Sequence, residues 1–397
     1  MLVLGPPRSG KGLHLVIPFI LDAPGAVVTT STRPDNLTAT FTARRKAGGR
    51  VAVFDPQHLA AGVPGGLRWS PIRGCTTAQT AMIRARGLAA GTGITRGVDG
   101  GDFWAAQTEA VLRALLHAAA LDERPPAQLY RWSLDPAAAG EAVTILERSP
   151  AAAPGWADAL DQAASADPRT RDSIWLGVRQ ALSSLADPRV LDAVTPTGSE
   201  SFDPAAFLRD RGTLYVLGTA TGAGAAAPLL AAMIEDVVET ARRLAAASTG
   251  ARLDPPLLLA LDEIGNLAPL PSLPALMSEG GGTGITTLTV LQSLAQARGA
   301  WGEQAAAAMW DAAITKIILG GGSNARDLTD LATLIGDRDE HTTSLTRGHR
   351  GERTTSQSIR RVPIMDTARL RTLPFGTAVL LLRSAPPIVL DLHPWTR

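Results

Sequence analysis

The sequence predicts an α/β fold built on a mainly parallel β-sheet. Of its 397 residues, 45% are hydrophobic and 19% are charged, which is enough apolar material to bury an extensive core. Short apolar runs alternate with stretches of helical character, and most of these runs show no polar alternation, as expected of strands covered by helices on both faces. The runs lie at residues 2–4, 25–30, 50–56, 212–218, 257–263, 284–292, 315–321 and 377–383.

The first apolar run leads directly into a glycine-rich segment, GPPRSGKG, which is followed by the start of a helix. A loop in this position presents backbone N–H groups to phosphates, and its lysine reaches the β and γ phosphates. Only three lysines occur, at positions 11, 46 and 316, so a lysine at the position that the motif requires is a specific signal. The alternative is a glycine-rich turn that binds nothing. We predict an ATP-binding loop formed by Gly5, Pro6, Pro7, Arg8, Ser9, Gly10, Lys11 and Gly12.

One position departs from the usual motif. The sequence GxxxxGK is normally followed by Ser or Thr, whose hydroxyl binds Mg²⁺, whereas Gly12 stands there in this chain. The residues of the loop alone leave open whether the site is working or inactive.

A second apolar run, LLLALDE at 257–263, ends in two acids. In a parallel sheet these acids emerge at the carboxyl edge, where ligands bind. We predict that Asp262 holds Mg²⁺ through water and that Glu263 is the catalytic base that polarises the attacking water. Gln292 ends the next strand and is predicted to sense the γ-phosphate or orient water. The alternative is that all three are ordinary surface residues. With Lys11, this pattern predicts a RecA-like P-loop NTPase.

Residues 75–205 differ in character from the rest of the chain. Apolar residues recur there at helical spacing, with Pro-rich linkers between the stretches, which predicts an all-helical insertion domain. The nucleotide-binding domain is then split into a first part at 1–74, with the phosphate loop, and a second part at 206–397, with the remaining strands. The aromatic residues of the insertion are predicted to be core residues.

A polar segment at 342–361 carries Arg347, Arg350, Arg353, Arg360 and Arg361. We favour a solvated hairpin or a mobile loop. The functional alternative is a segment that contacts a nucleic acid, because arginines neutralise phosphates regardless of sequence.

The overall composition excludes several classes of protein. The formal net charge is +1, so any contact with DNA has to be local, and the single cysteine, Cys75, excludes an internal disulfide or a multi-cysteine zinc site. No apolar run reaches the roughly 18 residues of a membrane span.

Several motifs together resemble the coupling-protein ATPases of type IV secretion and conjugation systems, the TraG/TraD-like family. The resemblance covers nearly the whole chain, and family members often have GKG in the loop, so Gly12 is compatible with a working site. The motifs are, in order, GPPRSGKG with HLVIP, LRWSPIRGC, GDFWAAQTEAVLRALLHAAAL, LLLALDEIGNLAPLPSLPALMSEGGGTGI, TVLQSLAQARGAWG, TKIILGGGSN and RRVPIMDTARLRTLPFGTAVLLL.

The resemblance implies an ATP- and Mg²⁺-dependent ATPase, assembled as a homo-hexamer at the cytoplasmic face of the plasma membrane. Such an enzyme binds single-stranded DNA with its relaxase, or another secreted protein, and passes it to components of the type IV secretion channel. The helical insertion is implied to recognise the substrate. Family members commonly carry N-terminal transmembrane helices, so membrane attachment is expected through a segment absent from this chain, the chain itself being soluble; the alternative is a soluble relative with a separate membrane partner.

The resemblance also exposes a gap. The loop SEGGGTGI, where several relatives have basic residues that complete a neighbouring site, has none here. Arg298, Arg326 and Lys316 are the candidates for that role, each with an ordinary surface or strand-end charge as the alternative. Two other functions remain open: a duplex-DNA pump of the HerA/FtsK type, against which the insertion argues, and a receptor that docks substrates with little hydrolysis.

Overall fold

The structure, a computed structural model, describes residues 1–60, 62, 66–93, 101–219, 226–347 and 353–396. Eleven strands lie in this part of the chain. Their bounds are β1 Leu2–Leu4, β2 Val27–Ser31, β3 Val51–Phe54, β4 Thr213–Leu217, β5 Leu257–Leu261, β6 Ile285–Leu291, β7 Thr315–Leu319, β8 Asp337–Arg347, β9 Arg353–Pro363, β10 Thr377–Leu382 and β11 Ile388–Asp391.

Nine of these strands form one sheet in the order β11-β10-β7-β1-β6-β5-β2-β4-β3. The seven strands from β7 to β3 are parallel to their neighbours, and β10 and β11 extend the sheet antiparallel at one edge. Strand β1 lies inside the sheet, where Val3 pairs with Val290 and with Ile317. The predicted α/β fold with a mainly parallel sheet is confirmed, and every predicted strand is present.

Helices cover both faces of this sheet. Helix α1 follows the phosphate loop and begins with a π-helical turn, Gly12–Val16, before an α-helical part, Ile17–Asp22. The other α-helices are α2 Asp35–Lys46, α3 Ala78–Thr92, α4 Gly101–Leu121, α5 Pro126–Leu134, α6 Gly140–Arg148, α7 Trp156–Ser165, α8 Pro168–Leu182, α9 Pro188–Ala193, α10 Pro204–Arg209, α11 Ala227–Ala246, α12 Ile264–Leu267, α13 Leu273–Thr283, α14 Leu294–Trp301, α15 Glu303–Ala312, α16 Ala325–Ile335 and α17 Thr367–Arg371. Short 3₁₀ segments lie at Pro136–Ala139, Ser183–Ala186, Gly198–Glu200 and Thr249–Ala251.

The all-helical insertion lies between β3 and β4 and contains α3 to α10. Its large aromatic side chains Trp132 and Trp175 are fully buried in the hydrophobic core, as predicted, whereas Phe103 is 54% exposed, so the prediction is wrong for that residue. Asp135, Asp167 and Asp187 cap helices or 3₁₀ segments by accepting hydrogen bonds from backbone N–H groups of the first turn. The domain boundaries at 75 and 205 stay a prediction, because one continuous core connects these helices to the sheet.

The link between the insertion and the main sheet is a buried polar cluster. Arg84 of α3 lies 2.8 Å from Asp236 of α11, and Trp69 donates its indole N–H to the same carboxylate over 3.0 Å. The Arg84 guanidinium also stacks on the Trp69 ring, with its carbon 4.6 Å from the ring centroid. This cluster gives a structural reason for the tryptophan of the LRWSPIRGC motif.

Strands β8 and β9 form a separate two-stranded hairpin, paired from Asp337 with Pro363 to Arg347 with Arg353. The polar segment is therefore the predicted hairpin, and the side chains of residues 355–361 are exposed. The predicted Arg350 lies outside the described residues. In the described part of the chain, no helix has the length and apolarity that a membrane span requires.

Candidate nucleotide-binding site

The phosphate loop leaves the sheet at the carboxyl end of β1. Its first residue, Gly5, donates its N–H to the Leu291 carbonyl over 3.0 Å, which ties the loop to β6. Gly10 has φ +89°, a left-handed conformation that glycine adopts without strain. The Pro7 and Arg8 side chains point to solvent, whereas Ser9 Oγ is buried without a hydrogen-bond partner in the described structure. A glycine-containing turn that leads from a strand into a helix N-terminus is a place where an anion could bind.

Lys11 lies at the start of helix α1 and folds back over the loop. Its Nζ donates to the Gly5 carbonyl over 2.7 Å and to the Pro6 carbonyl over 2.8 Å. Burial lowers the pKa of Lys11, and the negative charges of Asp262 and Glu263 partly oppose this effect. The Lys11 ammonium is therefore a buried cation that interacts electrostatically with the carboxylates of Asp262 and Glu263.

The two acids follow β5, which is separated from β1 only by β6. Thr30 of β2 donates its hydroxyl to the Asp262 carbonyl over 2.7 Å, and Thr32 donates its hydroxyl to Glu263 Oε2. Glu263 has φ +53°, an unfavourable conformation for a residue with a side chain. Strain of this kind is typical of functional sites, where the surrounding contacts hold a side chain in one direction.

Asp262 has the features of a group that needs a cation. Its Oδ1 is buried and has no hydrogen-bond partner within the described residues. Burial, followed by the charge of Glu263, raises the pKa of Asp262 to about 6, while Lys11 acts in the opposite direction. A bound Mg²⁺ would compensate this carboxylate, and oxygen ligands of this type suit that ion. The acids and the loop thus fit a magnesium–nucleotide complex.

Gln292 is the predicted site residue at the end of the strand that follows β5. It follows β6, its backbone N–H donates to Gln296 Oε1 over 2.8 Å, and its side chain is half-buried. Gln292, Pro6 and Pro7 line the same cavity of about 370 Å³, which extends towards α16. The structure therefore brings Gln292 next to the phosphate loop.

Gly12 lies opposite a residue that the sequence did not single out. Outside the surrounding helical turn, Asn36 Oδ1 is the only described atom within 4.0 Å of an ideal Cβ at Gly12. Asn36 is buried in the first turn of α2, with its Nδ2 3.5 Å from Thr29 Oγ1. The threonines at the end of β2, Thr30 within the strand and Thr32 just after it, were the available signal for this side of the site, because β2 is the neighbour of β5 in the sheet.

The three candidates for a trans-acting cation each have a partner within their own chain. Arg298 pairs with Asp327, Arg326 lies 3.3 Å from Glu303, and the Lys316 ammonium donates to the Ala313 carbonyl over 2.6 Å. Lys316 also lies 5.1 Å from the centroid of the Trp310 ring. Each contact favours an ordinary structural role in the isolated chain.

The fold resembles that of solved coupling proteins. The bacterial conjugative coupling protein TrwBΔN70, in its unbound monoclinic form, matches with a TM-score of 0.70 and 20% identity, covering 99% of this chain and 84% of that chain. Plasmid coupling protein TrwB in complex with the non-hydrolysable ATP analogue ADPNP matches with a TM-score of 0.68 and 20% identity. This match covers 99% of this chain and 84% of that chain. TrwB in complex with ADP and Mg²⁺ matches with a TM-score of 0.62 and 19% identity. This match covers 95% of this chain and 86% of that chain.

The sheet order, the phosphate loop and these similarities define a RecA-like P-loop fold. Residues 256–375 match the sequence profile of the TraM recognition site of TraD and TraG. The resemblance of the sequence to the TraG/TraD-like coupling proteins is thereby confirmed. No match was found among curated protein sequences.

Proposed function

We propose that this chain is a conjugation or secretion coupling ATPase, which hydrolyses ATP to move a substrate towards a type IV secretion channel. The observation that carries the ATPase assignment is the buried Asp262 Oδ1, which has no hydrogen-bond partner among the described residues and lies near the Lys11 ammonium at the carboxyl edge of a RecA-like sheet. The similarity to TrwB bound to ADPNP, and to TrwB bound to ADP and Mg²⁺, supports ATP and Mg²⁺ as the ligands.

Each site residue then has a separate role. The backbone N–H groups of the loop bind the phosphate oxygens, and Lys11 leaves the Gly5 and Pro6 carbonyls to neutralise the β and γ phosphates. Asp262 holds the metal, and Mg²⁺ when bound neutralises charge that develops on the phosphate oxygens. Gln292 senses the γ-phosphate or orients the water.

Glu263 is the general base in this proposal. The oxygen of a water molecule attacks the γ-phosphorus, the bond to the β,γ-bridging oxygen breaks, and one water proton passes to a carboxylate oxygen of Glu263. The hydrogen bond from Thr32 holds that carboxylate in one orientation. Glu263→Gln should therefore bind Mg·ATP and stop before cleavage, whereas Asp262→Ala should lose metal-dependent binding.

Catalysis is proposed to be shared between subunits of a homo-hexamer. Among the described residues, Lys11 is the cation whose charge acts on Asp262, so we propose that a cation from a neighbouring subunit completes the site. Such a residue contributes about 10³- to 10⁵-fold in other NTPases. The ring is proposed to lie at the cytoplasmic face of the plasma membrane.

The cargo is proposed to be single-stranded DNA with its relaxase, or another secreted protein. The match to the TraM recognition site of TraD and TraG supports a partner of the conjugation apparatus. The helices of 75–205 are proposed to recognise the substrate.

The experiment is steady-state ATP hydrolysis from nanomolar to tens of micromolar protein, with single-stranded DNA, with duplex DNA and without DNA. Specific activity should rise with concentration and rise further with single-stranded DNA. Mixing Lys11→Ala protein in turn with Arg298→Ala, Arg326→Ala and Lys316→Ala protein should restore part of the activity for the one candidate that acts on a neighbouring subunit. A flat, low activity without complementation would favour the docking receptor, and selective activation by duplex DNA would favour a HerA/FtsK-like pump.

A further inference from the structure

A phenylalanine beside the phosphate loop is largely exposed. Phe375 lies in the loop between α17 and β10, and 67% of the residue is accessible to solvent. Its ring nevertheless touches the loop backbone, because an ideal Cβ at Gly10 would come within 3.0 Å of Phe375 Cε2 and 3.1 Å of Cζ. One edge of the ring therefore packs on the phosphate loop while most of it faces solvent.

The His14 side chain packs against the Phe375 ring. The His14 and Phe375 ring centroids are 5.3 Å apart with an interplanar angle of 64°, an edge-to-face contact. His14 is more than nine-tenths buried, and neither of its ring nitrogens has a hydrogen-bond partner in the described structure. Its neighbour Leu13 accepts a hydrogen bond over 3.3 Å from the N–H of Trp395 near the carboxyl end of the chain. The first turn of α1 is thus joined to two aromatic residues from the carboxyl-terminal part of the chain.

The sheet order shows which end of a nucleotide would face these residues. The acids follow β5, two strands to one side of β1, whereas β10 lies two strands to the other side. Phe375 is at the carboxyl edge of the sheet, because β10 begins opposite the end of β7, with Ala378 paired to Leu319. If the γ-phosphate points to Asp262 and Glu263, the nucleoside end points to the side on which Phe375 lies.

We propose that Phe375 is the platform on which the base of the bound nucleotide stacks, with His14 as the residue that positions its ring. The proposal rests on the ATP site proposed above and adds its nucleobase subsite. An exposed aromatic face gains by stacking on any purine, so the subsite accepts adenine and guanine alike.

The test compares two ligands of the same loop, Mg·ADP and inorganic tripolyphosphate, by calorimetry on the full chain. Phe375→Ala should weaken Mg·ADP binding by roughly 5- to 100-fold, the range for losing one stacked base, and leave tripolyphosphate binding unchanged. Phe375→Trp should keep the affinity for Mg·ADP, and His14→Ala should weaken Mg·ADP more than tripolyphosphate. The matched control is Phe103→Ala, which removes a phenyl ring that is 54% exposed on α4.

The outcomes separate the two proposals. If the unmodified chain binds neither ligand, the ATP site itself is wrong. If it binds both and Phe375→Ala binds Mg·ADP as tightly as before, the base subsite is wrong and the ATP site stands. An equal loss of both ligands would also overturn the stacking role, since it would show that Phe375 only supports the shape of the phosphate loop.

Discussion

Arg298 Nη2 lies 2.7 Å from Asp327 Oδ1, and this ion pair joins α14 to α16 beside the candidate site. Both side chains are largely buried, at 19% exposed for Arg298 and 8% for Asp327. Asp327 Oδ2 also accepts a hydrogen bond from the Leu294 N–H over 3.2 Å. The hydrogen bond to Asp327 raises the pKa of Arg298. Arg298 is therefore part of the framework that holds the strand-end segment after β6.

The two arginines of this region should differ in their effect on stability. Arg298→Ala leaves a buried carboxylate without its charge partner, so the free energy of unfolding should fall by about 1–3 kcal/mol. Arg326→Ala removes a side chain that is 67% exposed and should change it by less than about 0.5 kcal/mol. Urea unfolding measures both, and equal values for the two variants would contradict the structural role of Arg298.

Gly12→Ser restores the hydroxyl that phosphate loops usually carry. The substitution has room, because the nearest described atom outside the surrounding turn, Asn36 Oδ1, lies 4.0 Å from the added Cβ. We expect an unchanged urea midpoint, and a Mg²⁺-dependent gain in ADP affinity of roughly 10-fold from one added metal ligand. Titration of ADP with Mg²⁺ and with EDTA separates the metal effect. A gain of the same size in EDTA would show that the hydroxyl does not act through the metal.

Helices α3 and α11 pack closely against each other at Gly87. An ideal Cβ there would lie 2.8 Å from Ala232 Cα, so Gly87→Ala forces two backbones apart and should lower the free energy of unfolding by about 1–3 kcal/mol. The matched control is Gly140→Ala on α6, whose added Cβ meets no described atom within 4 Å outside its own turn and which should be neutral or stabilising. A neutral Gly87→Ala would show that the two helices are not in close contact. The same packing means that a deletion within 75–205 that aims to spare nucleotide binding has to retain α3.

Cys75 should be unreactive in the native protein. Its thiol is fully buried and donates to the Pro71 carbonyl over 3.4 Å, and burial raises the pKa of Cys75 to about 11. Since alkylation requires the thiolate, iodoacetamide at pH 8 should modify the chain only in denaturant, as one addition by mass spectrometry. Rapid labelling without denaturant would contradict the packing at the start of the helical insertion.

Eight strands of the main sheet were predictable because they are continuous apolar runs, and the phosphate loop and LLLALDE are local motifs. Strand β11 was missed, since it is a run of only four residues, Ile388–Asp391, directly after two prolines. The neighbours of the site were missed for another reason. Asn36 and Phe375 are close to the loop only because α2 and β10 fold back to it, and no local pattern encodes that proximity.

The central claim is that Lys11 belongs to a nucleotide site, and calorimetric binding of Mg·ADP tests it most directly. Lys11→Ala is compared with Lys46→Ala, which removes an exposed lysine at the end of α2, and circular dichroism checks that both variants fold. Binding of Mg·ADP should fall by at least about 100-fold in Lys11→Ala, because the charge-assisted bonds to the phosphates are lost, and stay unchanged in Lys46→Ala. Equal affinity of both variants and the unmodified chain for Mg·ADP would contradict the account.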